Sequence, residues 1–136
     1  MSNFVYSKAK ENILNGVFDF ANDEIRVAFV NETYTPNQTS DEYVSDIPEL
    51  AVVQRSPQLN NVTISLGVLD ADDVIINAYP GYAFKYLILY KNTGSDDSSP
   101  LIAKIEDSQG LPFAGISTPA PLTISWSNSS TKILSL

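Results

Sequence analysis

Any chemistry in this 136-residue chain must come from carboxylates and hydroxyls, because histidine and cysteine are both absent. That removes the commonest general base and metal ligand, along with disulfides, thiolate zinc sites and cysteine nucleophiles. The densest carboxylate run is Asp70-Ala71-Asp72-Asp73. A calcium loop of the EF-hand type needs alternating oxygen ligands, a glycine and a distal glutamate. Here Val74-Ile75-Ile76 follow at once and lead into a strand, so Asp70, Asp72 and Asp73 read as a solvated turn. Asp96-Asp97 reads as the tip of a serine-rich loop. Paired acids hydrolyse glycosides when one lies in an apolar pocket and the other stays ionised. The 16 acids of this chain fall in polar turns or at strand ends, apart from a few such as Glu24, which flanks a strand. No glycine-rich loop opens a helix to cradle phosphate. The sequence therefore predicts no catalytic residue, no metal ligand and no cofactor, and a binding or structural role rather than an enzyme.

Aromatic side chains are the other candidates. Tyr79, Tyr82, Tyr86 and Tyr90 cluster, and Trp126 is the single indole. Such rings can stack on sugars or anchor a partner, but in a strand-rich chain core packing is the simpler reading. Tyr34 and Tyr43 lie in the polar stretch 31–49 and are better contact candidates. Both ends are apolar: Asn3-Phe4-Val5-Tyr6 and Lys132-Ile133-Leu134-Ser135-Leu136. They either pair with the chain's own sheet or extend a neighbour's sheet edge.

Charge narrows the partners. The formal net charge is −8, and the 8 basic residues are scattered singly. Nucleic-acid affinity rests on clustered lysine and arginine, so no direct nucleic-acid binding is expected. No apolar run approaches the roughly 18 residues of a membrane span, and the N-terminus lacks the pattern of a signal peptide. Assembly in a cytoplasm is expected, which makes the sequons at Asn31, Asn37, Asn61 and Asn128 chance matches.

These residues must be positioned by a mainly β fold. Ser7–Asn15 reads as one short N-terminal helix capped by Ser7 and stopped by Gly16. A weaker turn is predicted over 40–45. From Ile25 the hydrophobic period becomes two: Ile25, Val27 and Phe29 share one face, Arg26, Ala28 and Val30 the other. Val62, Ile64, Leu66 and Val68 alternate with polar residues or glycine, as in one half-buried strand. Ala83–Tyr90 is apolar on both faces, with Phe84, Tyr86, Ile88 and Tyr90 opposite Leu87 and Leu89, which suits a central strand. Further runs at 50–54, 74–78, 101–106 and 122–126 complete about seven strands. The expectation is a single antiparallel β-sandwich domain over residues 1–136.

Several segments carry a family resemblance. Lys10-Glu-Asn-Ile-Leu-Asn-Gly-Val-Phe-Asp-Phe20 precedes Ile25-Arg-Val-Ala-Phe-Val30. Asp70-Ala-Asp-Asp-Val74, Leu87-Ile-Leu-Tyr-Lys-Asn-Thr-Gly94 and Pro100-Leu-Ile-Ala103 follow, then Gly110-Leu-Pro112, Leu122-Thr-Ile-Ser-Trp126 and Lys132-Ile-Leu134. In this order they resemble a family of small virion structural proteins of tailed bacteriophages, some of which resemble capsid cement (decoration) proteins. The resemblance is weakest over 31–60 and 113–121. It implies a virion location, the major capsid protein and copies of itself as partners, and a task of clamping capsid subunits from outside. The contact residues would be Phe4, Tyr6, Tyr34, Tyr43, Ile133, Leu134 and Leu136. A tail, neck or baseplate component, or a receptor- or carbohydrate-binding module using 79–90, remain alternatives.

Overall fold

A computed structural model describes residues 4–20, 22–65, 68–76 and 84–105, together with the backbone of short strands at 107–108, 111–112, 122–124 and 134–135. In chain order the elements are β1 (Phe4–Val5), α1 (Ser7–Leu14), β2 (Ile25–Val30), β3 (Val52–Arg55), β4 (Thr63–Ser65), β5 (Val68–Asp70), β6 (Val74–Ile76), β7 (Tyr86–Lys91) and β8 (Leu101–Ile105). The later strands are β9 (Asp107–Ser108), β10 (Leu111–Pro112), β11 (Leu122–Ile124) and β12 (Leu134–Ser135). Among the described residues the pairings are all antiparallel, and the fold is mainly β with one short α-helix.

Alternating apolar residues create a sheet with two dry faces. β7 lies at the centre of a five-stranded sheet of order β1-β8-β7-β2-β3. Val27 pairs with Leu89 and Ala28 with Ile88, so neighbouring strands keep their side-chain phases aligned. Ile25, Val27, Phe29, Leu87, Leu89, Ala103 and Ile105 point into one apolar cluster, joined by Leu69 of β5 and by Val74 and Ile76 of β6. Ala28, Val30, Ile88 and Tyr90 point into the other, with Tyr6, Ala9, Tyr34, Val44, Ile47 and Ala51 above them. Each fully buried aliphatic side chain contributes about 1.5–3 kcal/mol of transfer free energy. The two-faced reading of β2 and β7 therefore holds. Phe84 is the exception: it precedes β7 and packs edge-on against Phe29 at 5.0 Å, in the Leu87 cluster.

Ser56 extends the sheet beyond β3. Its amide donates to Val27 O at 2.8 Å, and its buried hydroxyl accepts from Val27 N at 2.8 Å. The hydroxyl in turn donates to Pro57 O at 2.7 Å, so a polar side chain is satisfied inside the core.

α1 has eight residues, too few to persist alone, and it packs over β8 through buried Ala9. Tyr6, not Ser7, occupies the N-cap and makes no side-chain cap bond. Ser7 is the first helical residue, and its amide donates to Gln38 O at 2.8 Å. The stop is as expected: Gly16 has φ +77°, Val17 N donates to Asn12 O at 2.9 Å and Gly16 N to Ile13 O at 3.2 Å. This is a Schellman ending, and glycine meets its left-handed requirement without a Cβ penalty. Two helical turns, Val44–Asp46 and Glu49–Ala51, replace the turn expected over 40–45.

The expected strand over 62–68 is a hairpin. Ser65 pairs with Val68, Ile64 with Leu69 and Thr63 with Asp70. β4 is exposed along its length, Ile64 included, so the alternation does not mark a half-buried strand.

Candidate functional site

The face formed by β1, α1 and segment 31–51 holds most of the predicted contact residues. Phe4 and Val5 pair with Lys104 and Ala103, adding β1 to the edge of the main sheet. Tyr6 continues that ladder, its amide donating to Ile102 O at 3.1 Å, and then turns into α1. Its side chain, 0% exposed, passes under segment 31–51. Tyr34 approaches from that segment and is also buried.

The two phenols form a directed relay. Tyr34 Oη donates to Asp41 Oδ2 at 2.6 Å. A phenol has one proton, so the 2.9 Å contact between the hydroxyls requires Tyr6 to donate to Tyr34. Asn37 N donates to the same carboxylate oxygen at 2.9 Å. Burial pushes both phenols well above the ordinary tyrosine range, and proximity to Asp41 acts in the same direction. Neither group can ionise near neutral pH. The relay holds β1 and segment 31–51 together. Tyr6 and Tyr34 thus do not offer their rings to a partner, a correction to the sequence reading: local polarity around Tyr34 does not prevent a phenol from burying its ring when its hydroxyl finds a carboxylate.

Beside the relay lies an aromatic and cationic group. Phe4 packs edge-on against Tyr6 at 5.2 Å, and Tyr34 against Tyr86 at 6.3 Å. Lys104 is buried on β8, its Nζ 4.5 Å from the Phe4 ring centre and 5.6 Å from that of Tyr86. Lys85 Nζ lies 5.3 Å from the Tyr86 ring on its own account. Aromatic faces favour a cation here. Phe4 is half-buried, with its ring engaged by Tyr6 and Lys104.

Tyr43 stays half-buried and bridges Pro100, while Val44 N donates to Ser99 O at 3.0 Å and Leu101 N to Glu42 O at 2.8 Å. A hydrogen bond to the Glu42 carboxylate raises its phenol above the ordinary range. Leu134 lies in β12, where it pairs with Leu69 of β5. Ile133 and Leu136 lie outside the described residues, as do Tyr79, Tyr82 and Trp126. Tyr86 and Tyr90 are core residues. The two chain ends are therefore used by this chain's own sheets, through β1 and β12.

Asp70, expected in a turn, instead closes β5 opposite Thr63, and Asp72 and Asp73 lie in the link to β6. Asp72 Oδ2 accepts from Asn61 Nδ2 at 2.6 Å and Asp72 N donates to Asn60 O at 2.9 Å. Among the described residues no group of three acids converges as a metal site would. Asp72 and Asp73 instead border a groove of about 160 Å³ shared with Pro57, Leu59, Val74 and Ile75. Small-molecule sites begin at about 300 Å³, so this groove is below that class.

Two large apolar side chains face outward instead of docking. Leu50 is 90% exposed on the turn Glu49–Ala51, and Leu14 is 88% exposed at the end of α1. Segment 31–51 carries Glu32, Asp41, Glu42, Asp46 and Glu49 and no lysine or arginine. Several cations elsewhere are already paired: Arg26 with Glu24 at 2.6 Å, Arg55 with Asp96 at 2.9 Å and Lys91 with Asp23 at 3.4 Å. Leu50 thus projects from an acidic layer backed by a rigid sheet. The sequence reading placed Leu50 at the start of a strand over 50–54; the strand begins at Val52 instead, and Leu50 lies on the helical turn before it. The chain matches no family model, no curated protein and no solved structure.

Proposed function

We propose that this protein is a structural component of a tailed-bacteriophage virion, acting as a capsid cement protein. In this reading it sits on the outer face of the shell and clamps neighbouring major capsid subunits, with copies of itself as further partners. The observation that carries the proposal is the exposed Leu50 on the acidic layer 31–51, laid over a sheet whose two faces are both buried. A stiff module with an apolar point among carboxylates suits protein–protein contact, where an apolar anchor is rimmed by polar groups. The family resemblance of the sequence supplies the partner. Many copies on a repeating lattice turn modest single-site affinity into strong attachment.

With β1 and β12 engaged internally, the contact role passes from the chain ends to this layer. Quantitative mass spectrometry of purified virions, with heads and tails separated, tests the reading. Copy numbers near that of the major capsid protein, all in the head fraction, support it. A few copies in the tail fraction would replace it with a neck, tail or baseplate ring component. Absence from both fractions would overturn a virion role altogether.

A further inference from the structure

Asn15-Gly16 is the only asparagine-glycine pair in the chain. Asn15 is exposed at the C-terminal cap of α1, and its carboxamide makes no hydrogen bond among the described residues. Five other asparagines differ on both counts. Asn22 Nδ2 donates to Asp19, Asn61 Nδ2 to Asp72 and Asn92 Nδ2 to Glu24. Asn31 and Asn37 carboxamide oxygens accept from the amides of Thr33 and Thr39. Each of these is followed by a residue whose Cβ crowds the backbone nitrogen; Gly16 has none, and space around its Cα is open.

We propose that Asn15 is a site of spontaneous deamidation, gated by opening of the last turn of α1. The Gly16 nitrogen attacks Asn15 Cγ: the N–Cγ bond forms, the Cγ–Nδ2 bond breaks, and the nitrogen's proton passes to solvent base. The leaving amide takes a proton from solvent and departs as ammonia. Water then opens the cyclic imide at either carbonyl, giving aspartate or isoaspartate. No oxidant or cofactor enters.

The gate is the Schellman ending itself. Gly16 N is committed to Ile13 O at 3.2 Å, and Asn15 has φ −86° and ψ 1°. Ring closure requires rotation about the Asn15 Cα–C bond, which draws Gly16 and Val17 away from Ile13 and Asn12. The folded helix end is therefore protective, and reaction proceeds from its frayed state. Either product puts a new negative charge at the negative end of the helix dipole, where the last turn carries no basic residue. Isoaspartate also lengthens the backbone, so the two closing bonds can no longer both form. Modification thus weakens the element that lies over β8.

The test is peptide mapping by mass spectrometry of the intact chain held at mildly alkaline pH, folded and in urea. Conversion at Asn15 ahead of every other asparagine, several-fold faster in urea, is the expected result. The Gly16→Ala variant should convert several-fold more slowly in urea, where its strained φ no longer matters. No conversion at Asn15 in urea would remove the site, and equal folded and unfolded rates would remove the gate.

Discussion

The Tyr6 and Tyr34 hydroxyls meet 2.9 Å apart in the buried layer between the main sheet and segment 31–51, and Tyr34 donates its own hydrogen bond to Asp41 Oδ2 at 2.6 Å. The order of donation makes the two tyrosines unequal. Tyr6→Phe removes a donor but leaves Tyr34 bonded to Asp41, at a cost of about 1 kcal/mol. Tyr34→Phe strands the Tyr6 hydroxyl in the core and costs about 1–3 kcal/mol. Urea unfolding of both single variants and the double variant checks this. The double variant should lose less than the sum, because the stranded hydroxyl is gone.

The same burial sets an alkaline limit. Both phenols titrate above the ordinary value of 10.0 in the folded chain, so the unfolded chain releases these protons first. The stabilisation is complete below pH 10 and declines as pH rises beyond it. Unfolding midpoints measured across that range should fall, and more gently in Tyr6→Phe. Phenolate absorbance in the folded protein should show tyrosines that ionise only as the fold is lost.

How far the sequence disclosed this arrangement depends on which interactions are local. β2 and β7 were legible because a central strand buries both faces, and its alternating side chains record that directly. The hairpin of β4 and β5 was not, since Ile64 and Val68 keep one alternation phase although they lie on different strands. Ser7 resembles a cap by type, but its amide is taken by Gln38, a partner no local pattern announces. Tyr34 was placed at the surface by its polar neighbours, while its acceptor Asp41 lies seven residues on and its donor Tyr6 twenty-eight residues back. Lys104 had the sequence look of one scattered cation; only the fold brings Phe4 and Tyr86 around it.

Lys104 is accordingly sensitive to the sign of its charge. Lys104→Met keeps an apolar stem on β8 and loses the attraction to the two rings, about 0.5–2 kcal/mol. Lys104→Glu buries a carboxylate against aromatic faces and should cost about 3 kcal/mol or more. Thermal unfolding of the two variants separates stem packing from charge, and equal losses would mean that packing alone matters.

The Arg55–Asp96 pair is two-pronged, with both nitrogen–oxygen distances at 2.9 Å, and Arg55 also lies 5.8 Å from the Tyr90 ring centre. The Arg55 guanidinium holds the Asp96 carboxyl below its ordinary 3.8, so the pair contributes fully above pH 3.8 and is lost as pH falls through the lower folded value. Both side chains are substantially exposed, which limits the contribution to about 0–1 kcal/mol and makes it salt-dependent. Asp96→Asn should flatten the acid limb of the stability profile slightly at low ionic strength and leave it unchanged at high salt.

Removing residues 132–136 distinguishes a contact arm from a structural strand. β12 pairs Leu134 with Leu69 and Ser135 with Val68, which makes β5 the middle strand of three. Without β12, β5 keeps only β4 as a neighbour, and a lone two-stranded pairing is marginal in water. Leu69 nevertheless belongs to the same apolar cluster as Leu87 and Leu89, so its loosening is transmitted to one face of the main sheet. The opposite face, closed by Tyr6, Tyr34 and Ile88, includes no residue of that edge in its cluster among the described residues. Hydrogen exchange on the truncated chain should therefore quicken at Thr63–Ser65 and Val68–Asp70 first, with the amides of β7 protected longest. Uniform acceleration through β7 would mean that the C-terminal strand holds the whole core, and unchanged exchange at β5 would return residues 132–136 to service as a free arm.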